Sequence, residues 1–273
     1  MTQTKSMQGK VALISGASRG VGAAAAAQLL RRGAKVVITA RGEARLEKTR
    51  ALLEKQGGQV VAVAGDVGKL ADCKAMVDAA LKHFGRLDIL VNNAGVSMRG
   101  HFAELSLETC EQVVSTNLTG VIYLTRLAVP HILKAKGSIV FISSIAGLMG
   151  LPGASVYCAT KGALTGLSDS MRLELGPRGV HCGVVYLGFT EHDPEKRILG
   201  ADGSLVPPDR PAHHTQAFAA GLIVELIEKR KRRLVMTASG KIGAAVNRFS
   251  PALMEKAILT AQQSQWKIFK QFS

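Results

Sequence analysis

The fold is decided by residues 10–33, KVALISGASRGVGAAAAAQLLRRG, in which a short apolar strand runs into a glycine-rich turn and then an alanine-rich helix. Gly16, Gly20 and Gly22 permit a tight turn, a close approach of the backbone to a pyrophosphate, and close packing of the helix on the strand. The positive N-terminus of that helix would face the anion. The spacing differs from G-x-G-x-x-G and lacks the Gly-Lys-Ser/Thr ending of a P-loop. The stretch predicts a dinucleotide cradle, with a merely tight turn as the alternative.

The rest of the chain repeats this alternation of strand and helix. Further strands are predicted at KVVITA, QVVAVAG, LDILVNNAG, GSIVFIS and VHCGVVYLG, with LVM near residue 234 as a candidate last strand. Helix-period segments separate them, which predicts a doubly wound, Rossmann-like parallel α/β sheet covered by helices on both faces. We expect one domain over residues 1–240, followed by a basic amphipathic helical extension over residues 241–273. The polar segment 190–214 is long for a connection and is therefore a candidate lid.

Composition excludes several classes of protein. The chain has 273 residues, of which 47% are hydrophobic and 20% charged, so it is neither disordered nor fibrous. Four scattered cysteines without a C-x-x-C pair indicate reduced thiols and a cytoplasmic location. No apolar run is long enough to span a membrane. No metal site is predicted, because the adjacent His213 and His214 would point to different sides of a helix.

The basic charge is concentrated near the C-terminus. The net charge is +15, and residues 229–273 contain ten basic residues against one acidic residue. The extension also carries apolar residues at roughly helical spacing, namely Ile242, Val246, Phe249, Leu253, Met254, Ala257, Ile258 and Ala261. Packing on the body or on a sister subunit is the favoured interpretation; an anionic membrane surface and nucleic acid are alternatives. We expect residues 241–273 to cover the mouth of the substrate pocket, with the basic run 229–233 nearby.

Two residues point to acid–base chemistry without reference to any family. Tyr157 and Lys161 are four residues apart on a predicted helix, so their side chains share one face. An ammonium there stabilises a phenolate and lowers a tyrosine pKa that is normally about 10. A tyrosine so placed is a candidate general acid or base. An exposed pair on a helix surface is the alternative.

Further motifs follow the glycine-rich turn in order: Asp66-Val67, Asn92-Asn93-Ala94-Gly95, Asn117, Ser144 and Tyr157-Cys-Ala-Thr-Lys161. In this order they resemble the short-chain dehydrogenase/reductase family over roughly residues 9 to 236. The stretch SSIAGLMGLPGASVYCATKGAL, residues 143–164, is also similar to hydroxysteroid dehydrogenases within that family.

The resemblance implies four catalytic residues. Tyr157 would exchange a proton with the substrate oxygen, and Ser144 would hydrogen-bond that oxygen. Lys161 would also hold the nicotinamide ribose, and Asn117 would anchor a water that links Lys161 to solvent. Ser144 is chosen over Ser143 because it lies thirteen residues before Tyr157, which is the family's spacing.

The end of the second strand indicates the cofactor. Thr39-Ala40-Arg41 contains no acidic residue to accept a hydrogen bond from a ribose 2′-hydroxyl, and Arg41 and Arg19 can both face a 2′-phosphate. NADP(H) is therefore expected. By resemblance, Asp66 and Val67 would contact the adenine. The expected cofactor-binding residues are Gly16, Ser18, Arg19, Gly20, Val21, Gly22, Arg41, Asp66, Val67, Asn93, Ala94, Gly95, Tyr157 and Lys161.

One departure from the family pattern affects the nicotinamide end. The family usually shows Pro-Gly with a threonine four residues beyond the glycine, whereas here Thr190 follows Gly188 by two residues. Whether Gly188 and Thr190 contact the nicotinamide is left open.

These features together predict an NADP(H)-dependent oxidoreductase that interconverts a ketone or aldehyde with an alcohol, on a hydrophobic, lipid- or steroid-like substrate. The alternative is a non-catalytic dinucleotide-sensing or scaffold protein of the same fold. The expected partners are a small-molecule substrate and further copies of the chain, in a homodimer or homotetramer that pairs the helices at 106–134 and 155–175. Peripheral contact with an anionic membrane is a further candidate, and nucleic acid is disfavoured.

Overall fold

The computed structural model describes residues 6–191, 193–208 and 213–263, in which strands and helices alternate. The strands are β1 (Val11–Ser15), β2 (Lys35–Ala40), β3 (Val60–Ala64), β4 (Ile89–Asn92), β5 (Ser138–Ser144), β6 (His181–Leu187), β7 (Ile198–Leu199), β8 (Leu205–Val206) and β9 (Arg233–Val235). The helices are α1 (Gly20–Arg31), α2 (Glu43–Glu54), α3 (Leu70–Phe84), α4 (Leu107–Val114), α5 (Gly120–Ala135), α6 (Ser155–Leu175), α7 (Gln216–Glu228), α8 (Ala238–Phe249) and α9 (Pro251–Gln263).

Seven of these strands form one parallel sheet in the order β3-β2-β1-β4-β5-β6-β9. The doubly wound fold predicted from the sequence is confirmed, including the last strand near residue 234. The strand order reverses direction between β1 and β4. Ligands of such sheets bind in the crevice beyond the carboxyl ends of the strands at this point.

Both faces of the sheet are buried, as the apolar strands predicted. Along β1, Ala12 and Ile14 belong to the core formed with α1, α2 and α7. Their neighbours Val11 and Leu13 belong to the core formed with α3, α5 and α6. Because successive strand residues point to opposite faces, a strand covered on both sides must be apolar throughout.

The candidate lid contains a hairpin that the sequence did not predict. Strands β7 and β8 pair antiparallel, and Leu199 also bridges Met98 beyond the end of β4. A second bridge joins Thr190 to His214, so the two ends of the segment lie side by side. Within the predicted lid, His192 and residues 209–212 lie outside the described residues.

The C-terminal extension starts as two helices, and the expected boundary at residue 240 falls inside the first of them. Helix α8 packs on the segment between β5 and α6, where the Asn247 amide donates to the Leu148 carbonyl at 2.9 Å. Gly243 permits a close approach, since a Cβ there would lie 2.8 Å from the Met149 methyl. The extension therefore begins on the active-site side of the sheet. Residues 264–273 lie outside the described part of the chain.

The basic run 229–233 lies at the amino ends of the strands, opposite to the end where α8 begins. The prediction that it sits near the pocket mouth was therefore wrong. The run leads into β9, whose first residue is Arg233 and which is parallel to β6, so it is placed at the amino ends of the strands. Arg230 donates there to the carbonyls of Gly179 and Lys136, at 2.6 and 3.5 Å. Arg232 and Arg233 pair with Asp169.

Within the described residues, none of the helices combines the length and hydropathy that crossing a bilayer requires.

Candidate active site

The glycine-rich turn is pressed against the segment that follows β4. Gly16 has a φ of +65°, and a Cβ there would lie 2.7 Å from the Ala94 Cα. A Cβ at Gly22 would lie 2.5 Å from both the Asn93 amide nitrogen and the Gly16 carbonyl oxygen. These two positions therefore exclude any side chain, which is the physical reason for glycine in the predicted cradle.

Asn93 and Ser15 join the two strands at the point where the sheet reverses order. The Asn93 amide donates to the carbonyls of Ser15 and Gly16, both at 2.9 Å. The Ser15 hydroxyl accepts from the backbone N–H groups of Asn93 and Ala94, at 3.1 and 3.0 Å. Sequence reasoning did not identify Ser15, although a hydroxyl at the end of a buried strand was the available signal.

The N-terminus of α1 opens onto the same crevice. Its N-cap residue, Arg19, is extended, and among the described residues no side chain caps the helix and its first turn contains no acid. The first N–H groups of a helix have no partner within the helix, so they favour an anion. Ser18 is held in place because the Thr49 hydroxyl of α2 donates to its carbonyl at 2.7 Å.

Asn117 lies in a π-helical turn, Ser115–Thr119, between α4 and α5. Its side-chain oxygen accepts from the Val96 N–H at 2.8 Å, and its amide donates to the Val96 carbonyl at 2.9 Å. The amide also reaches the Thr160 hydroxyl at 3.3 Å. The side chain is fully buried and is used to tie α6 to the segment beyond β4.

The side chains of Lys161 and Asn117 both approach Gly95. A Cβ at Gly95 would lie 3.2 Å from both the Lys161 Nζ and the Asn117 Oδ1. The buried Lys161 ammonium donates to the Ile142 carbonyl at 2.9 Å. Burial, and secondly the positive charge of Lys196, lower the pKa of Lys161 from 10.5 to about 8. A lysine with that pKa changes its charge close to neutral pH, which suits it to a proton-transfer site.

Tyr157 lies one helical turn before Lys161 on the same face of α6. Lys161 Nζ is 5.9 Å from the centre of the Tyr157 ring. The ring packs against an apolar cluster of Met98, Val113 and Leu199. Tyr157 and Lys161 thus share one face of α6, beside an apolar surface contributed by three elements.

The two adjacent serines at the end of β5 have different surroundings. The Ser143 hydroxyl is buried and donates to the Lys161 carbonyl at 2.8 Å, so it fixes α6 to the strand. The Ser144 hydroxyl is partly exposed and accepts from the Ala146 N–H at 3.2 Å. Ser144 retains its own hydrogen as a donor.

Residues 10–200 match the family model described as short chain dehydrogenase. The chain belongs to the short-chain dehydrogenase family. Two solved structures illustrate the likeness. A short-chain dehydrogenase/reductase from Burkholderia phymatum in complex with NAD is 26% identical, with a TM-score of 0.80 over 91% of this chain and 96% of that one. One from Serratia marcescens is 30% identical, with a TM-score of 0.75 over 84% of this chain and 96% of its own.

Curated relatives of this short-chain dehydrogenase include hydroxysteroid enzymes, as the sequence predicted. The 11-beta-hydroxysteroid dehydrogenase-like 4A of Arabidopsis thaliana is 38% identical over 70% of this chain. The match covers only 64% of that relative, which is less than two thirds of its length. Ketoacyl reductase HetN from Nostoc is 31% identical over 92% of this chain and 88% of its own. Members of the family bind a nicotinamide dinucleotide and act on small molecules.

Three arginines lie near the carboxyl ends of β1 and β2 in this short-chain dehydrogenase. Arg41 is exposed beyond β2. Arg19 Nη1 lies 3.6 Å from an Asp193 oxygen, and Arg45 Nη1 lies 3.0 Å from the other. Sequence reasoning missed Arg45, although its position in the first turn of α2, four residues beyond Arg41, was a usable signal. It also missed Asp193.

The expected adenine contacts lie beyond β3. The Asp66 carboxylate accepts from the Gly68 N–H at 2.9 Å, which shapes the turn before α3. Val67 is buried, and a Cβ at Gly120 would lie 2.7 Å from its carbonyl oxygen. Val67 is therefore held beside α5.

Gly188 and Thr190 lie beyond β6. Thr190 is buried and its hydroxyl donates to the Gly188 carbonyl at 3.2 Å. A Cβ at Gly188 would lie 2.9 Å from the Thr237 methyl. The hydroxyl hydrogen of Thr190 is thus engaged within its own turn, and a contact of Gly188 or Thr190 with the nicotinamide stays a prediction.

Proposed function

We propose that this chain is an NADP(H)-dependent oxidoreductase that interconverts a carbonyl group and an alcohol. The observation that carries the proposal is the convergence of Lys161 and Asn117 over Gly95, with Tyr157 one turn away on the same helix face. This group lies at the carboxyl edge of the sheet, next to the glycine-rich turn. The roles of the individual residues follow from the family and from the geometry together.

Tyr157 is the proposed proton-transfer group, and its phenol gives a proton to the substrate oxygen in reduction. The Lys161 ammonium favours the phenolate that remains and also holds the nicotinamide ribose. Ser144 donates a hydrogen bond to the substrate oxygen and so fixes the carbonyl for attack. A nicotinamide, when bound, supplies or accepts the hydride. Asn117 holds the segment at Val96 in position and anchors a water on the path from Lys161 to solvent.

NADP(H) is the proposed cofactor. Arg19, Arg41 and Arg45 surround the end of β2, and Arg41 itself stands where an acid would otherwise hold a ribose 2′-hydroxyl. The relative from Burkholderia phymatum is in complex with NAD, so the two cofactors need to be compared directly. The test is to measure the dissociation constants of NADPH and NADH on the same preparation. Equal affinities would overturn the assignment.

The proposed substrate carries its carbonyl on an apolar skeleton. The apolar cluster of Met98, Val113 and Leu199 lies against the Tyr157 ring. Met149, which lies five residues beyond Ser144, packs close to Gly243 of α8. The names of two relatives, a hydroxysteroid dehydrogenase-like protein and a ketoacyl reductase, specify substrates of this kind. A screen of NADPH oxidation over steroid ketones, ketoacyl thioesters and small aldehydes tests this class. Faster turnover of the small aldehydes would contradict it.

The alternative is a non-catalytic dinucleotide sensor or scaffold. Both proposals predict NADPH binding, so binding does not separate them. Turnover of any carbonyl that is lost in Tyr157→Phe supports the enzyme, whereas binding without turnover across the screen supports the sensor.

A homodimer or homotetramer is proposed because α4, α5 and α6 expose large apolar side chains. Leu107, Val114 and Ile122 are exposed on α4 and α5, and Leu173 is exposed on α6. Short-chain dehydrogenases commonly form oligomers. Light scattering at micromolar concentration measures the mass, and a monomer would contradict the proposal.

Contact with an anionic bilayer is proposed for α8, because its small and polar residues face the body of the protein while its large apolar side chains are exposed. Gly240, Gly243 and Asn247 face the body. Ile242 and Phe249 are 65% and 84% exposed, seven residues apart and therefore on one face.

Basic residues lie next to this apolar face. Lys241 and Arg248 are exposed, are also seven residues apart, and each precedes one of the exposed apolar side chains. An apolar face beside a basic one fits an anionic lipid surface, and like charges disfavour two copies packing through it. The enzyme would then work at the surface of a membrane from the cytoplasmic side.

A further inference from the structure

We propose that Asp193 and Glu195 form a latch that competes with the 2′-phosphate of the cofactor for Arg19 and Arg45, and so sets the discrimination between NADP(H) and NAD(H). The inference rests on the proposed NADP(H) function and identifies two specificity-determining residues outside the cradle.

The latch consists of two carboxylates on two guanidinium groups. Asp193 lies between Arg19 and Arg45, at 3.6 and 3.0 Å, and Glu195 pairs with Arg45. The Glu195 N–H donates to the Asp193 carboxylate at 2.8 Å, so both acids belong to one tight turn. Arg19 is the N-cap residue of α1, and Arg45 lies in the first turn of α2. The carboxylates therefore form ion pairs with the guanidinium groups to which a ribose phosphate at this end of the crevice would bind.

The segment that carries the latch crosses the crevice. Its far end is fixed near the nicotinamide side, where the Leu199 N–H donates to the Ser97 carbonyl at 2.9 Å and the Arg99 N–H donates to the Leu199 carbonyl at 2.8 Å. Between the two ends, Lys196 is close enough to Lys161 for its charge to lower the pKa of that lysine. Closing the latch thus covers the crevice, and opening it frees both arginines at once.

Competition follows from the chemistry of the two ligands. A 2′-phosphate carries up to two negative charges and three acceptor oxygens, so it can replace the carboxylates on the guanidinium groups. NAD(H) has a hydroxyl at this position and leaves the ion pairs intact. Asp193 has 26% of its side chain exposed and the arginines 34% and 37%, so each pair is screened and the competition is modest.

Asp193→Asn tests the latch. We expect NADPH to bind about three- to tenfold more tightly, since partly exposed ion pairs each contribute only modestly. NADH affinity should stay within about twofold, and the difference should shrink in high salt. The matched control is Asp202→Asn, because Asp202 lies in the same segment and, among the residues that the structure describes, accepts within its own turn, from the Ser204 N–H at 2.9 Å. Glu195→Gln should act in the same direction as Asp193→Asn.

A second readout needs no cofactor. In the ligand-free protein, trypsin should cleave after Lys196 and Arg197 faster in Asp193→Asn than in the wild type, because the segment is released at one end. Unchanged cleavage together with unchanged NADPH affinity would overturn the latch. Weaker NADH binding in the variant would also overturn it, because Asp193 would then hold the ribose hydroxyl. If Asp193→Asn is cleaved faster but the wild type binds NADPH and NADH equally well, the proposed cofactor is refuted, while the ion pairs of Asp193 still hold the segment in place.

Discussion

The Lys161 ammonium on α6 donates a hydrogen bond to the Ile142 carbonyl on β5 at 2.9 Å, and both residues are buried. This bond, with that from Ser143 to the Lys161 carbonyl, fixes α6 on the strand from which Ser144 projects. These buried contacts therefore fix the relative positions of Tyr157, Lys161 and Ser144. The phenol is held in place by the fold itself.

Tyr157→Phe should reduce kcat by about 10²- to 10⁴-fold, which is the usual contribution of a general acid or base. The ring and its packing on Met98 remain, so NADPH affinity should change little. Steady-state kinetics and a binding titration on one preparation measure both. Tyr123→Phe on α5 is the matched control and should retain full activity; more than a tenth of wild-type kcat in Tyr157→Phe would reassign the proton-transfer role.

The pH dependence should report Lys161. Its pKa is lowered to about 8, so kcat/KM for carbonyl reduction should fall as the pH rises through that value and the ammonium is lost. Lys196→Gln removes a nearby positive charge, which raises the pKa of Lys161 and moves the fall to higher pH. Lys10→Gln, at the opposite edge of the sheet, should leave the profile in place. A shift to lower pH in Lys196→Gln would contradict the assignment.

Arg41→Asp should weaken NADPH binding and narrow its advantage over NADH. Loss of a charge-assisted contact of about 1.5 to 3 kcal/mol corresponds to roughly 10- to 150-fold in affinity. Lys82→Asp on α3 makes the same change of charge away from the crevice and controls for the overall field of the protein. If both variants lose affinity equally, Arg41 does not read the phosphate.

Gly16→Ala should disturb both stability and the cradle. Gly16 has a positive φ, and a Cβ there would lie 2.7 Å from the Ala94 Cα, so strain of about 1 to 3 kcal/mol should appear as a lower free energy of unfolding. NADPH binding should weaken in parallel, because the turn has to move. Gly221→Ala on α7 is the control, because a Cβ there would make only an ordinary contact, 3.9 Å from the Gln28 side chain; it should neither lower the free energy of unfolding nor weaken NADPH binding in titrations.

The double variant Ile242→Glu, Phe249→Glu should abolish co-flotation with vesicles that contain phosphatidylglycerol. Two carboxylates on the exposed face of α8 remove its apolar contact and repel the anionic surface. Wild-type protein should float with these vesicles and not with pure phosphatidylcholine. Leu52→Glu changes an exposed leucine on α2 and should float as wild type. Absence of flotation in the wild type would refute the lipid contact. A change of oligomeric mass in the double variant alone would also refute it and would indicate a protein interface.

Local patterns in the sequence were enough for the doubly wound sheet and for the residues of its cradle. Strand and helix periodicity and the glycines are encoded within short windows, since the exclusion of a side chain at Gly16 and Gly22 is the same wherever the chain forms this turn. The shared face of Tyr157 and Lys161 follows from helix geometry in the same way. The short-chain dehydrogenase family could therefore be recognised before the structure was known.

Contacts between distant segments required the tertiary structure. Asp193 meets Arg45 across 148 positions of sequence, and no local pattern indicates which arginine a lid carboxylate will find. The basic run 229–233 was misplaced because its edge of the sheet depends on the direction of the strand that follows it. Likewise, the apolar spacing of α8 indicated a buried face, but Gly243 and Asn247 fit the body more closely and turn Phe249 outward. Periodicity specifies which residues share a face, whereas the shape and polarity of the opposing surface decide which face is buried.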